Sequence, residues 1–269
     1  MPLIQTFPWL IDRMLNSLAS VGQFSAFTLQ TLVACVRPPW RFRLILNHAY
    51  LLGIRGMPVA ILTALFVGMV IVLQAGTELA IFNVKQFAAA GAAKALTQIM
   101  IPIFTAMVVG ARTAASIAAE LGTMRVTEQI DAMEVLDVNP RLYLIVPRVI
   151  ATTLMLPVIT LYADVIGLAG GWAIGVLSLQ ITARQYWNIT FQYLVYSDVI
   201  QGLIKTFFYG AAMGIAGCYY GFNARGGAEG VGYAATRAVV TTLIMLLLLE
   251  YILSSWIIYI ISAMQGGTF

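Results

Sequence analysis

The 269-residue sequence predicts an all-α integral membrane protein. About five transmembrane helices are expected, preceded by an N-terminal amphipathic interfacial helix, with a short acidic cytoplasmic helix between spans two and three. Three observations predict it. First, 61% of the residues are hydrophobic and only 10% are charged, against roughly 25% charged in soluble domains. With a mean hydropathy of +0.89, the bilayer has to be the solvent for most of the chain. Second, apolar runs of about 20 residues or more recur, each long enough to cross the hydrocarbon core. Third, the arginines cluster on alternate connections, as the positive-inside rule requires of a multi-pass protein.

The chain divides into an interfacial or elbow region, residues 1–56, and a transmembrane region, residues 57–269. Within 9–24, Leu10, Ile11, Met14, Leu15, Leu18 and Val21 fall on one helical face, and Asp12, Arg13, Asn16, Ser20 and Gln23 on the other. That pattern suits a helix lying among the headgroups. No cleavable signal peptide is expected, since no short apolar run lies between a basic start and a small-residue cleavage site. The stretch RPPWRFR, Arg37 to Arg43, sets three arginines around Trp40 and marks a cytoplasmic interface.

The first span is expected at about 57–77, with Pro58 at its start, and a loop then runs to about residue 91. The second covers about 92–118, and Arg112 and Glu120 near its end reach toward the interface. Residues 142–179 are apolar for longer than one span needs and contain Pro147, Pro157, Asp164 and the pair Gly170 and Gly171. They form either one long bent helix or a hairpin of two short ones. Only the single helix keeps the arginine-rich connections on one face, giving five spans, a cytoplasmic N-terminus and an outer C-terminus. A fourth span is expected at about 199–222, a glycine-rich loop at 223–237 and a last span at about 238–262.

The net charge of +4 and pI of about 9.1 therefore reflect membrane topology, not nucleic-acid binding. Cys35 and Cys218 lie far apart without metal-ligand spacing and read as packing residues.

One stretch contradicts its surroundings. GTMRVTEQIDAMEVLDVNP, Gly122 to Pro140, carries Glu128, Asp131, Glu134 and Asp137 against the single Arg125. As a helix over about 123–138 it sets Val126, Ile130 and Met133 in an apolar stripe beside an acidic stripe of Glu128, Asp131 and Glu134. Asn139-Pro140 ends it. It is either an amphipathic connector on the membrane or an anchor in a partner's groove. Acidic residues are repelled by anionic lipid, which favours the partner. No nucleophile, metal-ligand set or histidine accompanies the acids, and His48 is distant, so a catalytic role is disfavoured. Lys205 lies within the fourth span, where an ionisable group faces a cavity or a partner or else snorkels from a helix end; the apolar residues on either side of it favour the cavity.

At these residues the chain resembles a known family. AAELGTMRVTEQIDAMEVLDVNPRLYLIVPR, Ala118 to Arg148, resembles the signature of MlaE permeases, the membrane subunits of MCE-associated ABC lipid transporters. GARTAASIAAELG and GVGYAATRAVV resemble two further family motifs. The resemblance covers essentially the whole chain. It implies that the acidic segment is a coupling helix, with Glu128, Gln129, Ile130, Asp131, Met133 and Glu134 meeting an ATPase. It implies a homodimer in the bacterial inner membrane, with its C-terminus periplasmic. The implied partners are cytosolic ABC ATPase subunits, a periplasmic ring of MCE-domain proteins and a small cytosolic STAS-type subunit. The implied cargo is phospholipid, moved in support of outer-membrane lipid asymmetry. ATP and magnesium would be bound by the ATPase and no cofactor by this chain, which lacks a phosphate-binding P-loop motif.

The same resemblance places Lys205 in a lipid pocket. Relatives often carry an Arg-Glu pair where this sequence has Gln98 and Ile99, so the acid that would partner Lys205 is absent there. Lys205 then contacts a lipid phosphate directly or pairs with Glu78, Asp164 or Glu250. Ile71, Leu79 and Phe82 are either acyl-chain contacts or ordinary packing and lipid-facing residues. Arg112, Arg125 and Arg148 read as positive-inside anchors. A lipid-modifying enzyme would need clustered catalytic residues, and a secondary transporter would need internal repeats; neither is evident.

Overall fold

The computed structural model describes residues 6–36 and 41–264, and every regular element among them is helical. The helices are α1 (Thr6–Val36), α2 (Phe42–Ala80), α3 (Ala88–Ala95), α4 (Ile101–Val126), α5 (Gln129–Val135), α6 (Val146–Leu177), α7 (Ala183–Tyr193), α8 (Tyr196–Phe222) and α9 (Gly227–Met264). A π turn, Leu96–Met100, joins α3 to α4, and another, Arg141–Ile145, leads into α6.

Among the described residues, six helices are long and apolar enough to cross a membrane. Five of them are α2, the α3–α4 unit, α6, α8 and α9, which answer to the five expected spans. The sixth is Leu18–Val36 of α1. Phe24 and Phe27 of α1 pack edge-on to Tyr219, at 5.0 and 5.3 Å between ring centres. Leu15, Leu18 and Val21 are exposed. The side chains of Leu10, Ile11, Asp12, Arg13, Met14 and Asn16, and residues 37–40 of the RPPWRFR stretch, lie outside the described residues.

Several boundaries differ from expectation. α2 begins at Phe42, so it crosses the division at 56 and 57 unbroken, with Pro58 inside it. A proline there removes the donor to the Ile54 carbonyl. The guanidinium of Arg112 donates to the adjacent Arg55 carbonyl at 3.0 Å, a polar contact where the ladder is disturbed. The loop expected to reach residue 91 is shorter, because alanine-rich α3 already starts at Ala88.

Residues 146–177 form one helix, so the hairpin is excluded. Gly170 and Gly171 pack against α2 and do not turn. The expected loop at 223–237 shrinks to the turn at 223–226. Gly226 and Gly227, at φ 92° and 69°, reverse the chain, and Glu229 lies in the first turn of α9, where the helix dipole favours an acid.

Helix α7 was not expected. It is too polar to register as an apolar run, but Tyr186 and Thr190, one turn apart, are both buried. Burial pushes the Tyr186 phenol up to about 12. Trp187 stacks on Phe191 at 5.4 Å.

α6 is the central helix: 67% of its most apolar stretch is buried, against 6% for α9. Its main neighbour is α2, whose buried face is a run of small residues: Gly53, Gly56, Ala60, Ala64, Gly68 and Gly76 around Val72. Spacings of three and four put them on one stripe, and small residues let helix backbones approach closely in lipid. A Cβ on Gly68 would lie 3.0 Å from Gly167 Cα, and still nearer to its carbonyl.

Replacing Gly68 by alanine is expected to destabilise the bundle by about 2 kcal/mol through overpacking. The same change at Gly91 in α3, where an added Cβ meets nothing within 4 Å, is expected to raise stability by about 0.5–1 kcal/mol. Thermal unfolding in detergent, followed by circular dichroism, checks both signs.

Candidate functional site

Two polar assemblies interrupt the apolar bundle, one at each end. The first lies where α4 finishes and α6 begins. The chain leaves α4 at Val126, bends at Glu128 with φ 60°, forms the seven-residue α5, and bends again at Asp137 with φ 57°. Left-handed backbone at non-glycine residues is uncommon. The expected helix over 123–138 is therefore the last turn of α4, two tight bends and the short α5.

This changes which residues face outward. Val126 belongs to α4, so the apolar stripe does not lie on one helix. Ile130 is fully buried against a cluster that includes Leu121, Leu144 and Ile145, and Met133 packs against the same cluster. Both point into the protein's own core. Asp131 is held by the Arg125 guanidinium. Glu128, Gln129 and Glu134 are exposed, and beside them Val135 and Leu136 are 87% and 74% exposed. The outward surface is acidic with a bare aliphatic tip. Just inside it, buried Arg148 donates to Glu120 at 2.7 Å and to the Leu144 carbonyl at 2.9 Å.

The second assembly lies at the opposite end and centres on Lys205. An ammonium has three donors, and all three are used here. Nζ donates to the Gln98 carbonyl at 3.0 Å, to Glu250 Oε1 at 2.7 Å and to Ser254 Oγ at 2.7 Å. The Tyr209 hydroxyl donates to the other carboxylate oxygen of Glu250, and Ser254 donates to Oε1 at 2.7 Å. The Gln98 side chain donates to Asp198 at 2.6 Å, and the Val195 backbone amide donates to the same carboxylate at 3.1 Å. Lys94 stands 3.9 Å from it.

Local structure sets this geometry. The π turn at 96–100 contains Gln98, and such turns are frequent at functional sites. Gly202 lets α8 come against that turn, since a Cβ there would strike the Thr97 carbonyl and come within 3.0 Å of Pro102. Lys205 follows one turn later.

Of the residues expected near lipid, Lys205 and Gln98 are thus joined directly. Ile99 borders them, about one third exposed. Ile71 is half-buried and packs on the clusters around Leu96 and Tyr186. Leu79 is half-buried. Phe82 is 73% exposed beyond the end of α2. Of the three acids considered for Lys205, Glu250 is the partner. Glu78 is exposed, and Asp164 is buried with neither carboxyl oxygen hydrogen-bonded. Sequence reasoning did not place Tyr209, Ser254, Asp198 or Lys94 at the site. A signal was present: Tyr209 follows Lys205, and Ser254 follows Glu250, by one helical turn. Among the described residues no group of three or more His, Cys, Asp and Glu could hold a metal ion. Cys35 and Cys218 both pack in the cluster around Ile130.

Comparison with known proteins decides the family. The family model described as Permease MlaE matches residues 45–256, which include both assemblies. The chain belongs to the MlaE permease family. As a permease of this family it is a multi-pass membrane subunit. It is 39% identical over 242 residues to a probable ABC transporter permease protein of Rickettsia bellii, covering 90% of this chain and 93% of that one. A probable ABC transporter permease protein of Synechocystis is 37% identical over 214 residues, 80% of this chain and 81% of that one. Protein TRIGALACTOSYLDIACYLGLYCEROL 1, chloroplastic, of Arabidopsis thaliana is 34% identical over 204 residues, 76% of this chain and 58% of that protein.

Breaking the Lys205–Glu250 pair from one side strands a buried charge. Lys205→Met and Glu250→Leu are each expected to destabilise the permease by about 3–5 kcal/mol, and the double variant to recover most of that loss. Melting curves of the singles and the double in one detergent measure the coupling.

Proposed function

We propose that this permease works as a homodimer in the bacterial inner membrane. It couples ATP hydrolysis in cytosolic ABC ATPase subunits to phospholipid movement between that membrane and a periplasmic MCE-domain carrier route, in support of outer-membrane lipid asymmetry. The observation that carries the reading is α5: a short helix rooted in the core through Ile130, presenting Glu128, Gln129, Glu134, Val135 and Leu136 outward. A fixed stub with an acidic and aliphatic tip suits docking into a groove on a partner. Asp131, paired with Arg125, and Met133, packed on the core, hold the stub in place.

The charge distribution supports a cytosolic position for α5. Arg41, Arg43 and Arg55 at the start of α2, Arg125 on α4, Arg141 and Arg148 at the start of α6, and Arg225 and Arg237 about the α8–α9 turn all lie toward its end. The far end holds Lys85, Lys94, Arg184 and the paired Lys205. This orientation leaves the N-terminus cytoplasmic and the C-terminus periplasmic. α1, touching the bundle at the α5 end and otherwise showing apolar side chains, then lies in the cytoplasmic interface. The bare face of α9 is the surface offered to a second copy.

ATP and magnesium belong to the ATPase in this scheme, and this chain carries no cofactor. An MCE ring sits at the periplasmic end and a small STAS-type subunit on the cytosolic side. Lipid cargo is supported by the Arabidopsis relative, which bears the name of a glycerolipid. Lys205, Gln98 and Ile99 form the polar part of the lipid site, and Ile71, Leu79 and Phe82 its apolar approach. Because every donor of Lys205 is engaged, a lipid phosphate reaches it only by competing with Glu250, Ser254 or the Gln98 carbonyl.

Glu134→Lys combined with Leu136→Asp is expected to cut the amount of co-purifying ATPase at least ~10-fold, the equivalent of about 1.4 kcal/mol in docking, while the permease elutes unchanged. An ATPase that stays bound and active on this variant overturns docking through α5.

A further inference from the structure

Arg112 and Arg148, expected as positive-inside anchors, line one cavity. Between α2, α4 and α6 lies a space of about 210 Å³ walled by His48, Arg55, Arg112, Ser116, Glu120 and Arg148. Three guanidinium groups thus face one carboxylate. Glu120 is engaged by Arg148. Among the described residues, Arg55 and Arg112 make no ion pair. Arg148 is 3% exposed, and its Nε is buried without a hydrogen-bond partner. Three guanidinium groups share one carboxylate, Arg55 and Arg112 are exposed to an incoming anion, and guanidinium forks match phosphate oxygens in pairs.

Depth argues for the kind of anion. About 20 residues of helix cross the hydrocarbon core, and α2 supplies them after Arg55, as far as its end at Ala80. Arg55 therefore lies at the headgroup level of the leaflet that faces α5. On the membrane side of Arg55 and Arg148 the wall adds Gly56, Ala151 and Thr152, small residues that leave room for a glycerol backbone and the first methylenes. Basic pockets between spanning helices on the cytoplasmic side suit anionic headgroups.

We propose that this cavity binds the phosphodiester headgroup of a glycerophospholipid in the cytoplasmic leaflet, at the opposite end of the bundle from Lys205. The leaflet assignment rests on the permease reading above. The cavity gives the permease a second lipid position, at which cargo is held on the cytoplasmic side.

The test uses the full-length permease in detergent, titrated with a fluorescent short-chain phosphatidylglycerol. Inorganic phosphate and a short-chain diacylglycerol lacking phosphate are run as competitors. Arg55→Gln with Arg112→Gln is expected to weaken phosphatidylglycerol binding at least ~10-fold. Ser116→Trp, which fills the cavity without altering charge, is expected to weaken it similarly. Glu120→Gln removes the competing carboxylate and is expected to tighten binding several-fold. Less than a ~2-fold change in both the double arginine variant and Ser116→Trp overturns the proposal. Phosphate competing as well as the lipid identifies a free-anion site and overturns the lipid assignment, and diacylglycerol competing equally overturns the headgroup assignment. Co-purification of the ATPase with the wild type is scored in the same preparations. Its absence counts against the permease reading, while its presence with unchanged lipid affinity in the variants counts against the cavity alone.

Discussion

Inside a bilayer, helices gain little by hiding apolar surface from one another, because the lipid is equally apolar; close contact has to come from small residues and van der Waals packing. The glycine and alanine stripe of α2 against α6 is that contact, and the rest of the bundle is built around it. α6 is the buried axis, α2 fits along one side, and α4 and α8 pack on the others. Backbone approach at this distance excludes lipid from the interior. Polar groups can then be held where lipid would otherwise reject them, as Arg148 and Lys205 are.

The two ends handle charge in opposite ways. At the Lys205 end, the cation is neutralised by Glu250 and saturated with acceptors, and Lys94 stands near Asp198. In that second pair Lys94 is half in solvent while Asp198 is buried. At the α5 end, the cations outnumber their partners, and only Arg125 and Arg148 are in ion pairs among the described residues. A paired end is electrically quiet, and an end with surplus positive charge attracts anions.

The sequence revealed the spans well and their ends poorly, for a physical reason. Apolar runs report how much of a helix sits in lipid, but α2 and α9, at 39 and 38 residues, run on past the length a span needs. Pro58 and the glycines after Asn223 looked like boundaries because their local preferences are unfavourable to helix. Packing outweighed those preferences, which are individually worth only a few kcal/mol at most. α7 escaped notice because its burial depends on neighbours and not on its own composition. The pairing of Lys205 with Glu250 depends on how α8 and α9 are rotated against each other, which no local pattern encodes. The inward turn of Ile130 was hidden for a related reason: an apolar stripe says that something covers it, not whether the cover is a partner or the chain itself.

Seven residues are too few to hold a helix in water on their own, so α5 exists only while Ile130 stays embedded. It therefore cannot melt, slide or swing on its own axis without opening the cluster beneath it. A force applied at Val135 and Leu136 passes straight to Leu121 on α4 and to Leu144 before α6. The segment acts as a knuckle, with Glu128 and Asp137 as its creases. Torque delivered there would turn α4 and the central α6 together, and through the α2 stripe would reach a third helix beyond the docking surface proposed for α5.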